Sequence, residues 1–393
     1  MSETTESGVV IDSEYLIDFL SRAVAYPTPV TDAGETDNQV LGFLEELMAS
    51  ELETLGFDMV DFDEMGNVCG RLDGGDSSMP SLLIVGFAMT HPAASMPDPF
   101  MARIADGGEL GESGRVLIGR GAGEQKGPLA SAVAAFASLR DAGITPPCDL
   151  HLVCLASGET GRHDAIRSAV DHFRLEPAGA IVAVCTSNDI VIGHKGRVDV
   201  DVIVRGHSAH SSSPELGVNA LVGATEALRR ISEIDPGVAD SDLGGRTMTP
   251  VSLRTSPEAA HTIPDEARVR LDCRMLPGDT PEQVVALLTE ALAGLNTFQI
   301  EVRAGDVMYP SQVPADSWLV KELSAAVSRA SGSAPLLRRV SAATDSGYLN
   351  NHGIPAVLFG PGDISKAHTD ADYVVIDEAL AAAASLAELM VSS

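Results

Sequence analysis

The chain has 393 residues, 45% of them hydrophobic, which is enough for a large core and sits at a length where one chain usually divides into two domains. Lysine and arginine number 26 against 56 aspartates and glutamates, a formal charge of −30 that counts against nucleic acid and anionic membrane surfaces as partners. The 5 cysteines are widely spaced with no CxxC pair, which argues against a disulfide framework and fits a reducing cytoplasm. The polar opening MSETTESGVV, and no apolar run near the ~20 residues that span a bilayer, predict a chain without signal peptide or membrane helix.

Val40, Phe43, Leu44, Leu47, Met48 and Leu55 recur at helical spacing and stop at Gly56, which predicts a helix with one buried face. FDMVDFDE and NVCGRLDGG read as a hairpin, SLLIVGFAM as a buried strand, and LASAVAAFASLRDAG as a helix closed by Gly143. LHLVCLA and AIVAVC are further buried strands, so this part is an α/β sheet domain. From Val198 the pattern changes. VDVDVIV alternates strictly, with Val198, Val200, Val202 and Val204 on one face, as in a half-exposed strand offering an edge. The helix VNALVGATEALRRI, strands near PVSLR and in ARVRLDC, the helix TPEQVVALLTEALAGL and the strand FQIEVRA follow, which is the βαββαβ order of a ferredoxin-like unit. Thr280, Pro281 and Gln283 predict a capping box at the second helix, and SDLGGRTMT reads as a loop. After Arg303 the alternation of helix and buried strand resumes with SWLVKELSAAV, IPAVLFG and an Ala-rich final helix. The expected division is therefore 1–193 with 307–393 as one domain and 194–306 as an insertion.

Five segments, SLLIVGFAMTHP, GRGAGEQKG, LASGETG, RGHSAHSSSPELGVNA with TIPDEARVRLDCRMLPG, and TDSGYLNNHGIPAVLFGPGDISKAHTDADYV, carry a resemblance in their order and spacing. Together they resemble the dinuclear-zinc metallopeptidases and deacylases that include aminoacylases, succinyl-diaminopimelate desuccinylases and glutamate-type carboxypeptidases. The resemblance implies a zinc-peptidase-like mixed-sheet catalytic domain with an inserted ferredoxin-like lid and dimerisation domain.

In that family two zinc ions acidify and aim one water. The positions of a metal-ligating His and of the Asp that orients it are here Phe87 and Met89. The bridging Asp becomes Glu124, one methylene longer but still a ligand, and the pair of adjacent glutamates, base then ligand, becomes Gly158 and Glu159. A further acidic ligand falls on Cys185, which serves either as a thiolate ligand or as a small buried apolar residue. The last ligand, His368, is present. The resemblance thus leaves Glu124, Glu159 and His368 for one divalent ion, zinc by analogy, or for a metal-free polar remnant.

The same resemblance gives His210 the role of reaching across a dimer interface to the substrate carbonyl, and puts Asn219, His261 and Arg274 at substrate-binding positions. His261 stands where the family has an Asn, so altered recognition is expected, and Asp345 matches an acid that supports the metal region. Lys126, His91, Lys195 and Glu112 are additional polar residues near these motifs, able to take over proton transfer although residues of these types are more often on the surface. The implied protein is a cytoplasmic homodimer with a small-molecule substrate. It acts at an amide or related C–N bond of a small acylated amino acid with one metal or none. The other readings are a metal-independent acyl transfer or elimination enzyme and a non-catalytic ligand-binding homologue.

Overall fold

The computed structural model describes every residue except 1, 2, 5–7, 236, 238 and 393. It divides into two compact units, Met1–Ile192 with Val313–Arg338 and Tyr348–Ser393, and Gly193–Gln312 with Arg339–Gly347. The stretch 339–347, which the sequence places with the outer domain, is contained in the second unit.

The principal strands of the first unit, in chain order, are β1 (Met59–Phe62), β2 (Val68–Leu72), β3 (Leu82–Phe87), β4 (Arg103–Asp106), β5 (Arg115–Ile118), β6 (Leu150–Leu155), β7 (Gly179–Val182) and β8 (Ile190–His194). After the second unit's β9 (Gly196–Arg205), β10 (Thr247–Ser256), β11 (Glu266–Met275) and β12 (Gln299–Met308), the first unit adds β13 (Ala356–Leu358) and β14 (Tyr373–Val375). Its large sheet runs β8-β13-β7-β3-β6-β2-β1. The centre, β13-β7-β3-β6, is parallel, and β6-β2-β1 is antiparallel, so the sheet is mixed. Every residue of β3 is buried, as its unbroken apolar run requires with parallel neighbours on both sides. The helices are α1 (Ser13–Ala25), α2 (Gly127–Asp141), α3 (Ala220–Ser232), α4 (Pro281–Leu292), α5 (Trp318–Ser331) and α6 (Ile376–Ser392). Helix α2 is buried from Gly127 through Leu139, with α1 and α6 packed against it, and its alanines allow that close approach. The helix expected from Val40 to Gly56 is continuous but opens into a π stretch at Phe43–Ala49.

The second unit is an antiparallel sheet in the order β10-β11-β9-β12, with α3 and α4 covering one face, the topology of the βαββαβ unit. Val198, Val200, Val202 and Val204 pack with Val269, Leu271, Ala224 and Leu288 in its core. The capping box at α4 is formed, with Thr280 Oγ1 accepting from the Gln283 amide and Gln283 Oε1 from the Thr280 amide. One expectation is corrected. VDVDVIV offers no edge, because β9 lies between β11 and β12; its alternation reflects one charged face, not one unpaired side. The open edges are β10 and β12. Strand β10 begins at Thr247, so the expected loop gives way to sheet before Pro250.

Candidate functional site

Two distant stretches of sequence meet because β5 pairs antiparallel with β14, Tyr373 opposite Ile118. The chain leaving β5 turns at Gly121 (φ 82°) into the helical turn Ala122–Lys126, which carries Glu124. The chain entering β14 carries His368, itself at φ 63°, a left-handed conformation sparsely populated by non-glycine residues. Only glycine fits at position 123, since a Cβ there would lie 2.4 Å from the Tyr373 carbonyl oxygen. Glu159 comes from the loop that follows β6. The ligand atoms of Glu124, Glu159 and His368 all lie within 4.8 Å of one another, the one such group of three among the described residues.

His368 Nε2 lies 2.7 Å from Glu124 Oε1 and 3.3 Å from Glu159 Oε2. The hydrogen bond to Glu124, and then that to Glu159, push the imidazole up to about 10. The His91 ring stacks on His368 with centroids 4.0 Å apart. Glu124 Oε2 is buried without a hydrogen-bond partner. A stranded carboxylate oxygen beside a second carboxylate and an imidazole is a donor set that fits one divalent cation.

A buried aspartate and arginine brace this loop pair. Asp372 is buried, and its carboxylate accepts from the backbone N–H of Gly121 at 2.6 Å and of Gly123 at 2.9 Å. It also pairs with the fully buried Arg120 at 3.3 Å, whose Nη2 donates to the Ala93 carbonyl. Burial pushes the Asp372 carboxyl up. Lys126, expected as a surface residue, is fully buried; its Nζ donates to the carbonyls of Ala23 and Tyr26, both at 2.7 Å, at the end of α1. Burial pushes that amine down to about 7. Gln125 Nε2 donates to Glu159 Oε1 at 3.0 Å.

The positions at which the sequence resemblance expects a second metal site hold different chemistry. Phe87 and Met89 are buried, and neither supplies nitrogen or oxygen to a cation. Cys185 is buried, its amide donates to the Glu124 carbonyl, and burial pushes its thiol up, away from the thiolate that binds zinc. At Gly158 a Cβ would lie 2.7 Å from the Met89 carbonyl oxygen and 2.9 Å from Gln125 Nε2.

The remaining expected residues, except Glu112, lie in the second unit. His210 is exposed, with Nδ1 2.8 Å from Ser212 Oγ, and its ring lies parallel to that of His261, centroids 6.3 Å apart. Asn219 caps α3, its side-chain oxygen accepting from the Leu221 amide, so that oxygen is engaged locally. Arg274 is held by both oxygens of Asp272. Asp345 is buried in the segment Arg339–Gly347. Lys195 Nζ donates to the Gly245 carbonyl, and in the first unit Glu112 accepts from the Tyr373 hydroxyl.

A profile of peptidase family M20/M25/M40 matches residues 90–392. The chain is 28% identical over 368 residues to an acetylornithine deacetylase of Myxococcus xanthus, covering 91% of this chain and 90% of that protein. It is 25% identical over 409 residues to the N-formyl-4-amino-5-aminomethyl-2-methylpyrimidine deformylase of Bacillus subtilis, covering 93% and 91%. Among solved structures it resembles aminopeptidase PepT from Bacillus cereus with a TM-score of 0.76, at 19% identity over 98% of this chain and 100% of that one. The metallo-carboxypeptidase Sso-CP2 from Sulfolobus solfataricus gives a TM-score of 0.75 at 19% identity over 95% and 98%.

Proposed function

The chain belongs to peptidase family M20/M25/M40, and from that premise we propose an enzyme acting at an amide or related C–N bond of a small acylated amino acid, with one divalent ion at most. The observation that carries this reading is the convergence of Glu124, Glu159 and His368 within 4.8 Å. These three would hold the ion, zinc by family analogy, which when bound polarises a carbonyl oxygen as a Lewis acid. Asp372 and Arg120 keep the two ligand loops in register by fixing the amides of Gly121 and Gly123. Substrate contacts are assigned to His210 and His261, whose imidazoles are exposed and parallel. Asn219 and Arg274 support them from positions already tied to α3 and Asp272. We also take the protein to be a homodimer through the second unit, with His210 serving the partner subunit's substrate. A cytoplasmic location suits five free cysteines, and no helix among the described residues is long and apolar enough to cross a membrane.

Gly158 favours a second reading. With no carboxylate at the base position, attack by water is unassisted from that side, and a polar cleft that discourages hydrolysis suits acyl transfer or elimination. The test is the metal content of the purified protein together with turnover of N-acetyl, N-succinyl and N-carbamoyl amino acids. Near-stoichiometric zinc with slow but measurable hydrolysis supports the one-metal enzyme. Metal-free protein with no hydrolysis overturns it in favour of the non-hydrolytic enzyme, or of a ligand-binding homologue if no substrate is transformed at all.

A further inference from the structure

Gln125 is 3% exposed, and its amide lies in the direction that a side chain at position 158 would take, Nε2 being 2.9 Å from the Cβ that Gly158 lacks. The same Nε2 donates to Glu159 Oε1 at 3.0 Å, while Gln125 Oε1 is buried without a hydrogen-bond partner. Packing alone does not account for this choice, because an unbranched apolar residue would fill the space without stranding an amide oxygen. What the amide adds is an NH2 donor, and one of its N–H groups is spent on Glu159.

We propose that Gln125 is a positioning residue that has taken the space of the absent general base and fixes Glu159 in the orientation from which it binds. It exchanges a group that accepts protons for one that cannot, and turns that volume into support for the remaining carboxylate. Glu159 Oε1 is held by the amide, which leaves Oε2 directed at His368, 3.3 Å away. Support of this kind, from a residue that binds a ligand rather than the ion, commonly sets ion affinity within 10–100-fold (~). The inference rests on the one-ion reading only for its metal measurement.

The test uses the full chain carrying Gln125→Met, which keeps length and removes the N–H, and Gln125→Glu, which keeps shape and turns the donor into an acceptor. Titration calorimetry of metal-free protein with Zn2+ is expected to show one ion per chain, with Gln125→Met weaker by about 10–100-fold. Gln125→Glu, which also lacks the N–H and sets a like charge against Glu159, is expected to push that carboxylate away and to bind Zn2+ more weakly than the unaltered protein. Metal-free crystals of Gln125→Met should show the Glu159 carboxylate withdrawn from its contact with His368. An unmoved Glu159, or unchanged Zn2+ affinity in a folded variant, overturns the proposal. If the unaltered protein takes up no Zn2+, the one-ion reading fails by itself, and the position of Glu159 in those crystals still decides the role of Gln125.

Discussion

The backbone carbonyl of Met89 closes the space above Gly158: its oxygen lies 2.7 Å from the point where a Cβ at 158 would stand. Backbone cannot step aside as a flexible side chain can, so the absence of a carboxylate at 158 is built into the packing. Gly158→Ala should destabilise the protein by about 1–3 kcal/mol, the usual cost of forcing extra carbon into filled space. Gly158→Glu should do the same and restore no hydrolysis. Chemical denaturation of both variants measures the first effect, and a stable Gly158→Ala protein would show that the loop yields.

Removing the imidazole that bridges the two carboxylates should abolish ion uptake. His368→Ala leaves Glu124 and Glu159 as the only donors of the group, and two adjacent carboxylates without a nitrogen ligand make a poor zinc site. Emission spectroscopy of metal bound after dialysis reads the outcome. Two ions per chain in the unaltered protein would contradict the assignment of Phe87, Met89 and Cys185 as non-ligands.

Asp372→Ala should be among the most damaging single changes in the chain. It strands the fully buried Arg120 and frees the amides of Gly121 and Gly123 together. Breaking a buried ion pair from one side costs about 3–5 kcal/mol. Because the fault is an unpaired charge, Arg120→Met with Asp372→Leu should cost less than the single change, while still losing ion uptake. Urea unfolding of Arg120→Met, Asp372→Leu and the double variant gives the comparison, and additive costs would refute the pairing.

Among the described residues strand β10 is paired with β11 alone, and it exposes Val251 and Leu253 at 59% and 41%. A ten-residue edge with apolar side chains invites a second copy, paired about a two-fold axis. Sedimentation at micromolar concentration should show a dimer, and Val251→Asp with Leu253→Asp should give a monomer that still binds metal. A monomeric unaltered protein would remove both the dimer and the cross-subunit role of His210.

The sequence carried the architecture where periodicity has one physical meaning. Strand β3 is an unbroken apolar run between parallel neighbours, and Thr280 with Gln283 forms the capping box that their spacing predicts. Alternation in VDVDVIV was ambiguous, because a charged face and an open edge leave the same pattern. In the site, Glu124, Glu159 and His368 were visible as residue types in order. Asp372 was not, since its partners are backbone N–H groups some 250 positions away that no side-chain pattern marks. Lys126 misled for a related reason: its charge suggests a surface, yet the carbonyls at the end of α1 receive it in the interior. The closure at Gly158 depends on the path of the Met89 backbone, which is a property of the fold alone.

Hydrolysis of ordinary acylated amino acids should be very slow. Loss of a general base costs ~10²–10⁴-fold, and Gly158 supplies none, while the amide of Gln125 beside it takes no proton. Absence of one ion of a pair removes transition-state charge stabilisation as well, although losses within one catalytic unit do not add. The measurement is turnover of N-acetyl, N-succinyl and N-carbamoyl amino acids and of dipeptides, with zinc, manganese or cobalt supplied. Rates near an ordinary enzyme's ~10 s⁻¹ would mean that another group accepts the proton. Lys126 is an unsuitable substitute, because both of its short hydrogen bonds run to the carbonyls of Ala23 and Tyr26 and it is fully buried. His91, whose ring stacks on His368 at 4.0 Å, is an imidazole in contact with the site. If turnover is fast and His91→Phe removes it while ion uptake is kept, the base has moved to His91 and the altered-chemistry reading falls. If turnover is slow and unaffected by His91→Phe, the site binds without activating water, as the closed position at Gly158 requires.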